Sequence, residues 1–234
     1  MGQQRSPIAA GIFHVKAALM IAAEFHHVRY WVFDLDNTLY PPSARLFDQI
    51  EVLMTQYVMD ALNIDHKSAN ILRDQYWKTY GTTLAGLMRE HKVDPAPYLN
   101  RVHDISLDHL DDDPTLRQLI ANLRGRKIIY TNGPQIHAER VTAARGLSGI
   151  FDAVYGVEHA NFIPKPERGA FDRIFALDGL DPKKGAMFED EARNLRVPHK
   201  MGMKTVLVSE RANEESHIQH QTGDLTEFLK QISA

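Results

Sequence analysis

Asp34 and Asp36 are the residues of this sequence whose type and spacing point most directly to chemistry. They follow Tyr30 to Phe33, an aromatic and β-branched run typical of a strand buried in a parallel sheet. Side chains two apart on extended backbone point to the same side, so both carboxylates should face one small volume. Like charges that close repel unless a proton or a cation separates them. The pair therefore predicts a binding site for a hard divalent cation, with Mg²⁺ as the preferred ion. If the two aspartates are considered without the rest of the sequence, the alternative is an acidic turn after a strand.

Other polar clusters follow the other predicted strands. They are Thr131-Asn132-Gly133 after residues 127–130, Lys165-Pro166 after residues 153–155, and Glu189-Asp190 after residues 186–188. Because ligands bind beyond the carboxyl ends of parallel strands, these clusters are expected to meet Asp34 at one edge of the sheet. Phosphoryl transfer needs a nucleophile, a metal, donors for the phosphoryl oxygens and a proton source. The clusters contain a candidate for each of these roles.

The nucleophile would be Asp34, which can form an aspartyl-phosphate and divide one hard displacement into two easier ones. The hydroxyl of Thr131 and the backbone N–H groups of Asn132 and Gly133 lie at a predicted helix start, which is a natural anion site. Lys165 offers a positive charge to the phosphoryl oxygens and to the nucleophile. The remaining carboxylates for the cation come from Glu189-Asp190.

The order of these motifs resembles that of the haloacid dehalogenase-like (HAD) hydrolase superfamily. The matching motifs are D-x-D-x-T at residues 34–38, the strand-ending Thr131, Lys165-Pro166 and Glu189-Asp190, and the resemblance covers about residues 30–208. Dehalogenases of the superfamily lack the second aspartate of the first motif. The presence of Asp36 therefore favours phosphate-ester chemistry over carbon–halogen chemistry.

The resemblance also implies a role for each matching residue. Asp34 would attack phosphorus and bind the metal through its other oxygen. Asp36 would bind the metal through its backbone carbonyl, while its side chain would protonate the leaving group and later activate water. Asp190 would bind the metal directly, with Glu189 close by or acting through water. The residues implied to hold the phosphate are Thr131, Asn132 and Lys165. Asn194 is a candidate hydrogen-bond partner of the metal ligands, with a plain helix-surface amide as the alternative.

Within the superfamily the sequence is most similar to the pyrimidine 5′-nucleotidase group. The similar stretches include F-D-L-D-N-T-L-Y-P at residues 33–41 and Y-G-T-T-L-A-G-L at residues 80–87. The resemblance implies a Mg²⁺-dependent phosphomonoesterase for a small phosphorylated metabolite, with a pyrimidine nucleoside 5′-monophosphate preferred. The alternatives are a sugar-phosphate phosphatase or β-phosphoglucomutase-like enzyme, and a non-catalytic phosphate-sensing protein. The candidates to recognise a nucleotide base are Tyr80, Tyr98 and His103. The alternative for each is ordinary packing within the cap.

The elements that must position these groups follow from periodicity. Strands alternate with helices from residue 126 onward, which predicts a three-layer, Rossmann-like α/β fold with a parallel sheet. Residues 42–125 show only helical spacing, and we expect them to form an inserted all-helical cap that closes over the substrate. The α/β core would comprise residues 29–41 and 126–234. Residues 1–28 would be a leader, mobile or helical, and Met20 is a candidate natural start.

Composition excludes several classes of protein. The 234 residues contain no cysteine, which rules out disulfides, thiolate nucleophiles and cysteine metal sites and favours the cytoplasm. A net charge of −3 gives no basic excess for binding nucleic acid, and no stretch is long and apolar enough to predict a membrane span. The expected partner is a small metabolite, and the expected state is a monomer or homodimer.

Overall fold

The computed structural model of the protein describes residues 20–233. Its centre is an all-parallel sheet of six strands in the spatial order β3-β2-β1-β4-β5-β6. The strands are β1 (Tyr30–Phe33), β2 (Arg126–Tyr130), β3 (Ala153–Tyr155), β4 (Gly185–Glu189), β5 (Lys204–Val208) and β6 (His220–Thr222). Helices cover both faces of the sheet and an all-helical insertion follows β1, so the predicted fold class is confirmed.

The central strand β1 is buried on both faces because its side chains alternate between two apolar clusters. Trp31 and Phe33 belong to the cluster on one face, whereas Val32 belongs to the cluster on the other. Phe33 stacks on Phe188 of the neighbouring strand β4, with ring centroids 4.8 Å apart. This two-sided burial explains why β1 reads as a continuous apolar run.

The helices have the following bounds: α1 (Leu46–Leu62), α2 (His66–Tyr80), α3 (Thr83–His91), α4 (Pro95–Val102), α5 (Pro114–Asn122), α6 (Gln135–Ala144), α7 (Arg168–Asp178), α8 (Arg196–Lys200) and α9 (Leu225–Ile232). Helices α1 to α4 share a separate apolar cluster that includes Val58, Leu87 and Val102. The starts of α2 and α3 are fixed by Asp65 and Thr82, whose side chains accept hydrogen bonds from backbone N–H groups three residues on.

Helix α5 lies outside that separate cluster. Its buried residues Leu116 and Ile120 belong to the core cluster on the sheet, together with Phe228 and Leu229 of α9. The range 42–125 expected for the cap therefore includes α5, which packs on the core, and the start of α1 also reaches the core through Leu46 and Ile50. The sequence pattern did not distinguish α5 from the cap helices, because an amphipathic helix shows the same spacing whichever core its apolar face contacts.

Part of the expected leader also packs on the core. Residues 20–25 are helical, and Phe25 stacks on Trp31 with ring centroids 6.2 Å apart. Val28 is buried, and Glu24 pairs with Lys204 at 2.9 Å. Within the range expected for a leader, residues 20–25 are helical and Phe25 and Val28 pack on the core, whereas residues 1–19 lie outside the described part of the chain. Among the described helices, none is both long and apolar enough to cross a bilayer.

Candidate active site

The register of the sheet brings the predicted clusters to one edge. Phe33 of β1 pairs with Ile129 of β2 and with Phe188 of β4, so Asp34 lies level with the ends of both neighbours. The backbone N–H of Asp34 donates to the carbonyl of Phe188 at 2.9 Å, which fixes the residue beside Glu189. The carboxyl ends of β1, β2 and β4 therefore supply the floor of the site.

Lys165 lies at the centre of this floor with only 1% of its side chain exposed. Its Nζ donates to Asp34 Oδ1 at 2.6 Å, to Glu189 Oε2 at 3.1 Å and to the carbonyl of Tyr130 at 3.0 Å. Burial alone would lower the pKa of Lys165, but the charges of Asp34 and Glu189 outweigh it and raise the pKa. The lysine is therefore a fixed cation.

Asp34, Glu189 and Asp190 form a compact acidic cluster. One carboxylate oxygen from each lies within 4.8 Å of the others; Asp34 and Glu189 are buried, and Asp190 is partly exposed. Burial and the charge of Asp34 raise the pKa of Asp190 to about 8. An all-oxygen donor set whose charge one lysine does not balance fits a divalent cation, which would relieve this repulsion. Asn37 supports the cluster by donating to Asp190 Oδ2 at 3.3 Å.

Asp36 points to a different set of partners. Its Oδ1 accepts a hydrogen bond from Tyr40 at 2.7 Å and lies 3.4 Å from Nε2 of His137. Burial would raise the pKa of Asp36, but the contacts with His137 and Tyr40 outweigh it, and the net pKa is lowered. Burial and the nearby Asp36 charge raise the pKa of Tyr40, so its hydroxyl remains a donor. One oxygen of Asp36 is thus held, and the carboxylate is partly open to the cavity.

The loop after β2 combines two kinds of contact. Thr131 Oγ1 accepts from the N–H of Gly133 at 2.9 Å, and the hydroxyl can still donate to a ligand. The side chain of Asn132 is already engaged, because it accepts from the N–H of Lys165 at 2.8 Å and donates to the Lys165 carbonyl at 3.2 Å. Asn132 therefore positions the lysine loop, and its backbone N–H is the group left to meet an anion.

A cavity of about 610 Å³ lies between this floor and helices α1 to α4. All seven predicted site residues line it: Asp34, Asp36, Thr131, Asn132, Lys165, Glu189 and Asp190. Of the three candidates for reading a base, Tyr98 and His103 line the cavity. Tyr80 is not among the lining residues, and its hydroxyl donates to Glu90 instead. The cap contributes both apolar side chains and polar ones to this wall.

Several contacts in the site were not predicted from the sequence. Tyr40 enters the sequence analysis only as part of the stretch 33–41, although it lies four residues after Asp36 in the same motif, and His137 was not singled out. The side chain of Asn194 donates to Glu189, as the candidate role for this asparagine required. His103 lies against His137 with ring centroids 4.7 Å apart, and burial lowers the pKa of His103 to about 4, so it is neutral.

Comparison with known proteins found similarity to a curated protein and to several solved structures. The chain is 28% identical over 195 residues to "Phosphate metabolism protein 8" of Saccharomyces cerevisiae, which covers 76% of this chain and 61% of that protein. The chain therefore spans less than two thirds of the length of this relative. Similar solved structures include a HAD phosphatase from Thermococcus onnurineus, with a TM-score of 0.57, 18% identity, and coverage of 87% of this chain and 97% of that one.

A second similar structure is that of the HAD-hydrolase YfnB from Bacillus subtilis bound to magnesium, with a TM-score of 0.56 and 16% identity over 88% of this chain and 99% of that one. Identities this low show a shared fold alone. The sequence profile described as haloacid dehalogenase-like hydrolase matches residues 28–224, which include every residue of the site described above. The chain belongs to the haloacid dehalogenase-like hydrolase family.

Proposed function

We propose that this protein is a Mg²⁺-dependent phosphomonoesterase that works through an aspartyl-phosphate. The observation that carries the proposal is the position of Lys165, whose Nζ joins Asp34 and Glu189 at the floor of the cavity while Asp36 lies beside them. A nucleophile, a cation and an acid–base group in one enclosed site are what phosphoryl transfer requires. Carbon–halogen cleavage releases a halide that needs no proton, so the held carboxyl of Asp36 favours an ester substrate.

In the first step, a free carboxylate oxygen of Asp34 attacks phosphorus and the bond from phosphorus to the ester oxygen breaks. Lys165 holds the nucleophile in place and provides positive charge for the phosphoryl oxygens. Asp36 gives the departing alkoxide its proton. The substrate-free site keeps the pKa of Asp36 low, and the negative charge of an arriving phosphoryl group would raise that pKa and favour the acid form.

In the second step, the carboxylate of Asp36 takes a proton from a water molecule, which attacks the same phosphorus atom. The bond between phosphorus and Asp34 breaks, and inorganic phosphate leaves. Tyr40 and His137 hold one oxygen of Asp36, so the other can face the reacting group in both steps. The hydroxyl of Thr131 and the backbone N–H of Asn132 would bind the phosphoryl oxygens.

The acidic cluster would hold the cation through Asp34, Asp190 and the backbone carbonyl of Asp36, with Glu189 nearby. When bound, Mg²⁺ would neutralise charge on the phosphoryl oxygens. The magnesium bound to YfnB supports this choice of ion. Glu189 is already paired with Lys165 and Asn194, which favours an indirect contact of Glu189 with the cation through water.

The proposed substrate is a nucleoside 5′-monophosphate; the preference for a pyrimidine rests on the sequence resemblance, and the size and lining of the cavity suit a nucleoside. A volume of about 610 Å³ is within the usual range for a small-molecule site. The cap side of the wall combines apolar Phe47 and Leu84 with the polar groups of Asn70 and Tyr98. It also carries Glu51 and Asp74 beside Arg73, a balance that suits an uncharged leaving group better than a second phosphate. This balance disfavours the bisphosphate of a mutase.

A screen of phosphorylated metabolites with Mg²⁺ tests the function. Release of inorganic phosphate from UMP and CMP above other substrates is expected, with loss of turnover in EDTA and in the Asp34→Asn variant as the matched control. A sugar-phosphate profile would replace the nucleotide assignment and keep the chemistry. Absence of metal-dependent phosphate release from every substrate, including a generic aryl phosphate, would overturn the phosphatase proposal and favour a phosphate-sensing protein.

A further inference from the structure

Arg193 joins the acidic loop of the core to the turn that ends helix α2 of the cap. It lies in the short 3-10 helix Ala192–Leu195, directly after Glu189-Asp190-Glu191. One guanidinium nitrogen donates to the carbonyl of Trp77 at 2.8 Å and another to the carbonyl of Gly81 at 2.9 Å. The guanidinium also lies 3.7 Å from the centroid of the Trp77 ring. One core side chain thus makes two hydrogen bonds and a cation–π contact with the cap.

The chemistry of the turn explains why an arginine suits this place. The C-terminal end of a helix carries partial negative charge, and the Trp77 carbonyl, which accepts the N–H of Gly81 at 3.2 Å, has a second lone pair for Arg193. The planar guanidinium can donate to two carbonyls while its face lies on an indole ring, which a lysine ammonium cannot do. Arg193, a residue of the core, therefore provides hydrogen bonds to the C-terminal end of α2 in the cap domain.

The same turn rests on the loop that carries the lysine of the site. Gly81 has a φ of +89°, and a Cβ at this position would lie 3.1 Å from the Lys165 carbonyl and 3.2 Å from the side chain of Pro164. Glycine is required by both the backbone conformation and the close approach. Arg193 consequently holds the cap turn against the Lys165 loop.

This contact is separate from the linker that returns the chain from the cap to the core. That linker is held by Arg140, whose guanidinium donates to the carbonyls of His103 and Ile105, both at 2.9 Å. The carbonyls that Arg193 binds belong instead to residues in the middle of the cap sequence. The linker is also bound by Arg145, which donates to the carbonyl of Asp111, so the contact of Arg193 with the α2 turn is separate from both linker contacts.

We propose that Arg193 is a positioning residue that latches the cap to the core and keeps the Lys165 loop ordered beneath it. The residue acts through the Trp77–Gly81 turn and does not itself move a proton or bind phosphorus. The latch is a property of the fold and does not require the proposed substrate. Its value to the proposed reaction is that a latched cap encloses the cavity before substrate binds.

Tryptophan fluorescence tests the latch without any assay of activity. The chain has two tryptophans, and Trp31 is 4% exposed whereas Trp77 is 42% exposed, so a neutral quencher such as acrylamide reports mainly on Trp77. In R193Q we expect the quenching constant to rise roughly twofold, because the ring face under the guanidinium becomes open to solvent. The control is R196Q, which removes an exposed arginine at the start of α8 that pairs with Glu215. It should leave quenching unchanged.

Hydrogen exchange separates a latch from a purely local contact. The amide of Lys165 donates to the side chain of Asn132, the amide of Glu167 donates to the carbonyl of Pro164, and neither bonds to Arg193. Their exchange should be about tenfold faster in R193Q than in wild type or R196Q if the turn supports the loop. Unchanged exchange at these amides, or an unchanged quenching constant, would overturn the latch.

A conservative variant keeps the test valid if R193Q does not fold. R193K retains the charge but cannot donate to both carbonyls while covering the ring, so it should quench and exchange like R193Q. With p-nitrophenyl phosphate, R193K should raise KM about tenfold with a smaller change in kcat, since fewer molecules hold the cap in place. Wild-type behaviour of R193K in quenching and exchange would refute the latch. Absence of turnover in the wild-type protein would count against the proposed phosphatase function only.

Discussion

Replacement of Lys165 by methionine is the sharpest stability test of the site. The side chain of Lys165 is almost completely buried and lies 2.6 Å from Asp34 and 3.1 Å from Glu189. Methionine keeps much of the volume of the aliphatic chain and removes only the charge and the hydrogen bonds. The carboxylates would then face one another, together with Asp190, with no cation among them. We expect Lys165→Met to destabilise the metal-free protein strongly.

The size of the effect follows from these distances. At an effective dielectric constant of about 20, each contact is worth roughly 5–6 kcal/mol of Coulomb attraction. Much of this is offset by the cost of burying the ammonium group, and removing one partner of a buried pair typically costs about 3–5 kcal/mol. For a chain of this length, such a loss corresponds to a fall in Tm of roughly 6–20 °C.

Urea unfolding followed by circular dichroism, in EDTA, measures this free energy of unfolding. The penalty should be larger at pH 8 than at pH 5.5. Without the lysine, the folded-state pKa values of Asp34 and Glu189 lie above their unfolded values, so stability is lost as pH rises through that range. Lys204→Met is the matched control, because Lys204 pairs with Glu24 at 2.9 Å in a more exposed place. We expect it to cost less than about 1 kcal/mol.

Two outcomes of this experiment would contradict a role for the Lys165 charge. A Lys165→Met protein within about 1 kcal/mol of wild type at pH 8 in EDTA would show that the buried carboxylates do not need the lysine charge. A loss of stability that is larger at pH 5.5 than at pH 8 would contradict the predicted direction of the pH dependence. Restoration of stability by Mg²⁺ would agree with the acidic cluster as the cation site.

Three further predictions follow from the site. Asp34→Asn should abolish turnover in a phosphate-release assay without lowering Tm, because the amide cannot attack and one buried negative charge is removed; substantial residual activity would remove the nucleophile assignment. Asp36→Asn should slow both steps by about 100-fold or more and let a phosphoenzyme accumulate in acid-quenched samples; wild-type turnover would exclude Asp36 from the mechanism. In wild-type protein with EDTA, the free energy of unfolding should fall as pH rises from about 5 to about 8, because the folded-state pKa of Asp190, about 8, lies above its ordinary value of 3.8. Saturating Mg²⁺ should reduce this fall, and a rise in stability over the same range would contradict the raised pKa.

The α/β core was predictable because its pattern is local. Each predicted strand is a short apolar run ending in polar residues, and in a parallel sheet such ends must share an edge. This reasoning placed Asp34, Lys165 and Asp190 together, although the lysine and Asp34 are far apart in the sequence. The described residues bear out that juxtaposition.

Elements at the edge of the sheet were missed for physical reasons. The strand β6 has the sequence His-Gln-Thr, which carries no apolar alternation, and it forms because the paired backbone of β5 offers hydrogen bonds. Phe25 gave no sign that it packs on Trp31, since a single aromatic residue in an Ala-rich stretch has no period. The helix α5 has a clear pattern, but the pattern does not say which of two cores receives it.

The contacts that tune the site were the hardest to predict. The hydrogen bond from Tyr40 to Asp36 depends on the turn after β1, and the approach of His137 depends on where helix α6 begins relative to β1. Asn132 was assigned to phosphate, whereas the structure shows its side chain bonded to the backbone of Lys165. Such pairings arise from long-range geometry that residue types alone do not specify.

A crystal structure with magnesium and beryllofluoride, a mimic of the aspartyl-phosphate, is the most direct test of the central claim. We expect beryllium on a carboxylate oxygen of Asp34, Lys165 and Thr131 in contact with fluoride, and the cation bound by Asp190. Beryllofluoride on another residue, or a cation bound away from Asp34 and Asp190, would contradict the account.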